Sequence, residues 1–172
     1  MILPFHNFNV NDWFILGCIV VGYFIVYRLR RTFPTSLTLL IMLFSLSLAK
    51  AADHTLGIKP LDWYDTNEIP VFDVADLLTW FIYPVAGFIF VHSYHRLRVQ
   101  GLEIPAYILA SSLIAAAFEL LCVQVRIFTY KEWNLGYSFV IYLAAQTLTL
   151  AFYHKTKQWF LRGKRRRILS TT

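Results

Sequence analysis

Charge is scarce in this sequence. Asp, Glu, Lys and Arg make up 15% of its 172 residues, where a soluble domain carries about 25%, so an ordinary water-facing surface is excluded. Cysteine is almost absent. Cys18 and Cys122 are the only two, both within apolar stretches, which excludes a disulfide framework. GxSxG, P-loop and GxGxxG runs are missing, as is a tight ligand motif such as HExxH, which removes the common signatures of a nucleophile, a phosphate cradle and a zinc site. No internal repeat, low-complexity tract or inter-domain linker occurs. No Lys or Arg precedes the first apolar run, and that run ends in Arg28, Arg30 and Arg31. It therefore reads as a retained helix and not as a signal peptide with a small-residue cleavage site.

What is present is oil. Hydrophobic residues are 58% of the chain, aromatics 17%, and the mean hydropathy is +0.53, values that fit lipid as the solvent. Five apolar runs, at about 10–28, 36–54, 73–94, 105–125 and 135–153, each approach the ~20 residues needed to cross a bilayer core. The expected fold is all-α, a polytopic membrane helix bundle of about five transmembrane helices forming one domain over residues 1–154. Pro84 and Gly87 fall inside the third run, where a kink is expected, and Pro105 sits in the first turn of the fourth, a favoured place for proline. Residues 56–72 read as a structured or interfacial loop. Residues 155–172 read as a basic amphipathic tail able to lie on an anionic leaflet.

Basic residues give the orientation. With the N-terminus outside, the cytoplasmic segments hold Arg28, Arg30 and Arg31, then Arg96 and Arg98, then Lys155, Lys157, Arg162, Lys164, Arg165, Arg166 and Arg167, twelve of the sixteen Lys and Arg. All three inside segments agree with the positive-inside rule, which places the C-terminus in the cytoplasm. The formal net charge of +6 and the pI near 9.4 are thus topology signals, and no nucleic-acid partner is expected.

The acids are distributed the other way, with eight of ten at or beyond the outer boundary; Glu103 is cytoplasmic and Glu119 lies within the fourth span. An ionisable group in a span costs roughly 2.5–3.5 kcal/mol at helix centre on insertion scales and so turns toward the bundle. Glu119 stands roughly 21 Å along its helix from Pro105 at 1.5 Å per residue. Lys50 reaches a comparable height in the second span, which makes a Lys50–Glu119 pair expected. Ser111, Ala115 and Glu119 at i, i+4 and i+8 form a small-residue strip that lets another helix approach. Lys50, Asp53 and His54 share a face of the second span, and Asp73, Asp76 and Trp80 share one of the third. A polar pocket open to the outside is therefore expected from Lys50, Asp53, His54, Asp76, Glu119 and Arg126, with a structural ion-pair cluster as the plainer reading of the same residues. Neither metal nor cofactor is expected. His92 and His95 read as solvated residues at a cytoplasmic interface, and Trp63, Tyr64, Trp80, Trp133 and Tyr137 as an interfacial aromatic belt.

Two stretches, WFIYPVAGFIFVHSYHRLRVQG at 80–101 and FELLCVQVRIFTYKEWNLGYSFVIY at 118–142, carry a resemblance over about the last two thirds of the chain. Through Tyr83-Pro84, Phe118-Glu119, and Tyr130 followed by Trp133, the chain resembles a family of small, functionally uncharacterised multi-pass membrane proteins of spore-forming bacteria. The resemblance implies a bacterial plasma membrane protein and supplies no activity. The Phe118-Glu119 region is also loosely similar to lycopene cyclase type membrane domains, whose intramembrane acid works on a polyene. The Pro-x-Glu-Glu element of that family is missing, with Ser138, Phe139, Val140 and Ile141 in its region, and no catalytic role carries over.

Three functions stay open at this level. The first is a structural or accessory subunit, binding inner-leaflet lipids through its tail and a membrane protein partner or a second copy through its spans. The second is a membrane-embedded enzyme acting on a lipid or isoprenoid with Glu119 as general acid, which requires a lipid-sized cleft between spans two, three and four. The third is a small transporter or ion-pathway subunit, against which the apolar cytoplasmic halves of spans one, two and four count.

Overall fold

A computed structural model describes residues 9–57, 63–66 and 74–169; the side chains at 65–66, 74–76 and 163–169 lie outside that description. In chain order the elements are α1 (Val10–Leu29), α2 (Thr35–Leu56), β1 (Tyr64–Thr66), α3 (Val74–Thr79), α4 (Ile82–Arg96), α5 (Glu103–Gln124), β2 (Phe128–Tyr130) and α6 (Leu135–Leu169). The fold is all-α apart from the two short strands, and five helical stretches are long and apolar enough to cross a membrane, the third running from Leu77 through α4. The surface supports that reading. Val20 is 67% exposed and Ile114 71%, while Ser112, Glu119, Ser138 and Thr149 are buried. Such an arrangement, oily outside and partly polar inside, suits lipid as the surrounding solvent.

Antiparallel pairing of β1 with β2, Tyr64 opposite Tyr130 and Thr66 opposite Phe128, brings the chain after α2 and the chain after α5 to one end of the bundle. Three backbone N–H groups, from Lys131, Glu132 and Trp133, converge on the Trp63 carbonyl at 3.1–3.2 Å and clip the two segments together. The sequence pattern shows only an irregular loop at 56–72; residues 58–62 and 67–73 of it, Asp73 included, lie outside the described residues.

The expected kink in the third span is a break, and it lies just ahead of its cause. Pro84 has no N–H to donate to the Trp80 carbonyl, and its ring crowds that oxygen. Helix α3 accordingly closes on i→i−3 bonds, Trp80 N to Leu77 O at 3.3 Å and Phe81 N to Leu78 O at 3.0 Å, before α4 begins. Two close approaches hold α4 in place. A Cβ on Gly22 of α1 would stand 2.6 Å from Val85 Cγ1, and one on Gly87 of α4 would stand 1.8 Å from Ser45 Oγ of α2. The main apolar core lies toward the other end, around Leu37, Ile41, Phe88, Val91, Leu150 and Tyr153.

At the end of α5, Arg126 has φ of 58°, and the chain closes a Schellman motif with Arg126 N bonded to Val123 O at 3.0 Å and Ile127 N to Cys122 O at 2.8 Å. The apolar contact that accompanies this motif is made as Ile127 and Cys122 pack with Ile15. A left-handed residue other than glycine costs about 1–2 kcal/mol.

The chain does not leave helix at residue 153, as the change of composition suggests. α6 continues to Leu169, 35 residues in all. No proline follows Tyr153, the run is rich in good helix formers, and the Lys157 ammonium lies 5.5 Å over the Tyr153 ring one turn back.

Candidate functional site

Glu119 is placed by the strip expected on α5, which faces α6. It is 6% exposed, and its carboxylate is surrounded by hydroxyl donors. Ser138 donates to Oε1 at 2.5 Å and Tyr142 to Oε2 at 2.5 Å, both from α6, while Tyr130 of β2 donates to Oε1 as well. Behind Ser138 the Trp133 indole N–H donates to Oγ at 2.6 Å. The Schellman turn is what makes Tyr130 available, because it reverses the chain so that β2 runs back past the end of α5.

A second carboxylate stands on α2. Asp53 accepts from the Tyr64 hydroxyl at 2.9 Å and the Tyr83 hydroxyl at 3.0 Å, and it is paired with the Lys50 ammonium at 3.0 Å. Lys50 also lies 5.0 Å from the centre of the Trp80 ring. Burial, then the charge of Asp53 and the hydrogen bond to it, push the Tyr64 phenol well above its ordinary range, with Glu119 adding to the rise. Burial, then the hydrogen bond to Glu119 and its charge, do the same for Tyr130. Both phenols thus remain donors at neutral pH.

Between these groups lies a cavity of about 240 Å³, walled by α2, α4, α5 and α6 and lined at the strand end by Tyr64, Phe128, Tyr130 and Trp133. Asp53 and Glu119 line it together with Tyr83, Ser138 and Tyr142. Farther from the strands the wall is Leu48, Ala49, Phe90, Ala115 and Ala145, ending at Gln146 and Thr149. From Ser138 to Thr149 that wall descends roughly 16 Å along α6 at 1.5 Å per residue. Gln146 is fixed by α5, its Oε1 lying 2.6 Å from Ser111 Oγ and 3.1 Å from Ser112 Oγ. The volume is slightly below the roughly 300–1,000 Å³ of ordinary small-molecule pockets. It suits a compact molecule or one chain, not a two-chain phospholipid.

Of the six residues expected to form the pocket, Asp53 and Glu119 share its wall, and Lys50 joins through Asp53. The expected Lys50–Glu119 pair is not formed, because Asp53 lies one helical turn from Lys50 and takes its ammonium. His54 is exposed and is not among the lining residues. Arg126 is exposed and serves as the left-handed residue of a helix cap. Asp76 lies on α3, its side chain outside the described residues. Two of the residues read as belt, Tyr64 and Trp133, face the cavity instead, and Trp63 packs 5.7 Å from Trp133. At the opposite end His92 is buried among Phe33 and Phe88 and not solvated, whereas His95 is exposed.

Tyr83, Tyr130, Ser138, Tyr142 and Gln146 were not legible as site residues from charge alone. A signal did exist, since Ser138, Tyr142, Gln146 and Thr149 recur at helical spacing through an otherwise apolar run. Among the described residues no group of three or more His, Cys, Asp or Glu is arranged to hold a metal ion. No protein-family model, no curated protein and no solved structure matches the chain.

Proposed function

We propose that the protein is a membrane-embedded binding protein for a small amphipathic molecule of lipid or isoprenoid type. The apolar part of the ligand lies along Leu48, Ala49, Phe90, Ala115 and Ala145, and its polar end meets the two carboxylates. The observation that carries the reading is the cavity itself, which joins a polar, hydroxyl-rich end to an apolar shaft. Three hydroxyl groups already engage the Glu119 carboxyl, which fixes it as a polar anchor at that end of the cavity.

The bundle is read with the strand end at the outer face and the C-terminus in the cytoplasm of a bacterium, in its plasma membrane. Support comes from the twelve basic residues on one side and from the family resemblance. The basic end of α6, with Lys155, Lys157 and Arg162, then stands beside anionic inner-leaflet headgroups.

A second reading, a structural or accessory subunit, is favoured by one observation. The Glu119 cluster fastens β2 and Trp133 to α5 and α6, which is a scaffold's task as well. Binding separates the two. The protein in phosphatidylcholine nanodiscs is expected to take up a single-chain C12 probe saturably, near one per protein after subtraction of empty discs. Ala145→Phe, which fills the cavity, should reduce that uptake at least tenfold. Unsaturable partitioning that Ala145→Phe leaves unchanged would reject the binding role in favour of the scaffold.

A further inference from the structure

The two carboxylates of the chamber are not equivalent in charge. Asp53 is matched by Lys50 at 3.0 Å. Glu119 has three hydroxyl partners and, among the described residues, no ion pair with a cation. Hydroxyls solvate an anion through their dipoles, but they cancel none of its charge. With Glu119 ionised, the group formed by Lys50, Asp53 and Glu119 carries one net negative charge, facing a cavity whose other walls are largely apolar. In such surroundings the interaction between charges is screened far less than in water, so the excess acts strongly on whatever enters.

The walls around the charge point the same way. Tyr64, Tyr83, Phe128, Tyr130, Trp133 and Tyr142 all line the chamber. Aromatic rings together with a carboxylate are the surroundings in which proteins hold ammonium groups, the ring quadrupoles and the anion attracting the same cation. An anionic head placed there would meet Glu119 as a like charge. A neutral head would leave the imbalance as it stands.

We propose that the ligand is a singly charged organic cation, an amine or ammonium bearing one apolar chain, with its nitrogen beside Glu119 and its chain running toward Gln146. This rests on the binding role proposed above and adds the sign and number of charges that the site selects.

The test compares three probes with the same tail, dodecyltrimethylammonium, dodecanol and dodecanoate, on the full protein in phosphatidylcholine nanodiscs, with empty discs subtracted. The ammonium probe is expected to bind at least tenfold more tightly than dodecanol, and dodecanoate most weakly. Glu119→Gln should remove the preference for the cation, bringing the ammonium probe's affinity down to that of dodecanol in the same variant. Should that variant fold poorly, the wild-type ranking and Ala145→Phe, which blocks all three probes alike, still decide. Equal binding of the three probes, or a preference for dodecanoate, would overturn the cation assignment and leave the binding role intact. Failure of every probe to saturate would overturn both. A cation preference that persists in a folded Glu119→Gln protein would show that the charge is read elsewhere.

Discussion

Glu119→Leu should lower the thermal midpoint more than any other single substitution in the chamber. Leucine takes away the acceptor for Tyr130, Ser138 and Tyr142 together, and each buried hydroxyl left without a partner costs about 1–3 kcal/mol. Some of that is recovered as Tyr130, at the edge of the bundle, turns away, so the expected loss is about 3–5 kcal/mol. At 2–4 °C per kcal/mol for a chain of this size, the midpoint falls roughly 10 °C. The same measurement decides whose partner Lys50 is. Lys50→Met and Glu119→Leu should be additive within about 0.5 kcal/mol. Lys50→Met and Asp53→Asn should instead show coupling, near the 0.2–1 kcal/mol of exposed pairs, since the two side chains are 34% and 16% exposed. Recovery of stability in the Lys50–Glu119 double variant would contradict the pairing described here.

Gly87→Ala is expected to be the next most damaging change, although it adds a single methyl group to a helix. The new carbon would lie 1.8 Å from Ser45 Oγ and 2.4 Å from Ser45 Cβ, so α2 and α4 must separate, and overpacking of this kind costs about 1–3 kcal/mol. Because Ser45 and Gly87 both line the cavity, the proposed binding role predicts that uptake of the C12 probe falls along with stability. The Gly87→Ala, Ser45→Gly pair should restore much of both, since without the serine side chain the new carbon meets Ser45 Cα at 3.8 Å, an ordinary contact. A midpoint unchanged by Gly87→Ala would mean that the two helices are not packed so closely.

The spans were legible because lipid demands long apolar runs, and composition alone reveals them; each expected stretch starts within a few residues of a helix. The far end of α6 was not legible, because a change from apolar to basic residues marks where lipid stops, not where helix stops. Glu119 could be placed from the spacing of Ser111 and Ala115, since one face of a helix admits few alternatives. Its partners could not. They come from β2 and α6, brought together by a left-handed turn at an arginine, where sequence rules look for glycine. Matching heights along two helices point Lys50 toward Glu119, whereas the carboxylate one turn away on its own helix takes the ammonium. Helical projection points Arg126 toward the pocket, but projection no longer applies once the helix has ended at Gln124.

The continuity of α6 ties two places that act on different surroundings. Tyr142 touches the chamber's carboxylate, and Leu169 lies 27 residues farther on, about 40 Å at 1.5 Å per residue, with no proline between them to serve as a joint. The helix is a lever. Pivoting by about 5° near Tyr142 carries its far end through roughly 3.5 Å over that length, so a small shift of the chamber wall becomes, at the far end of the helix, a displacement the width of a side chain.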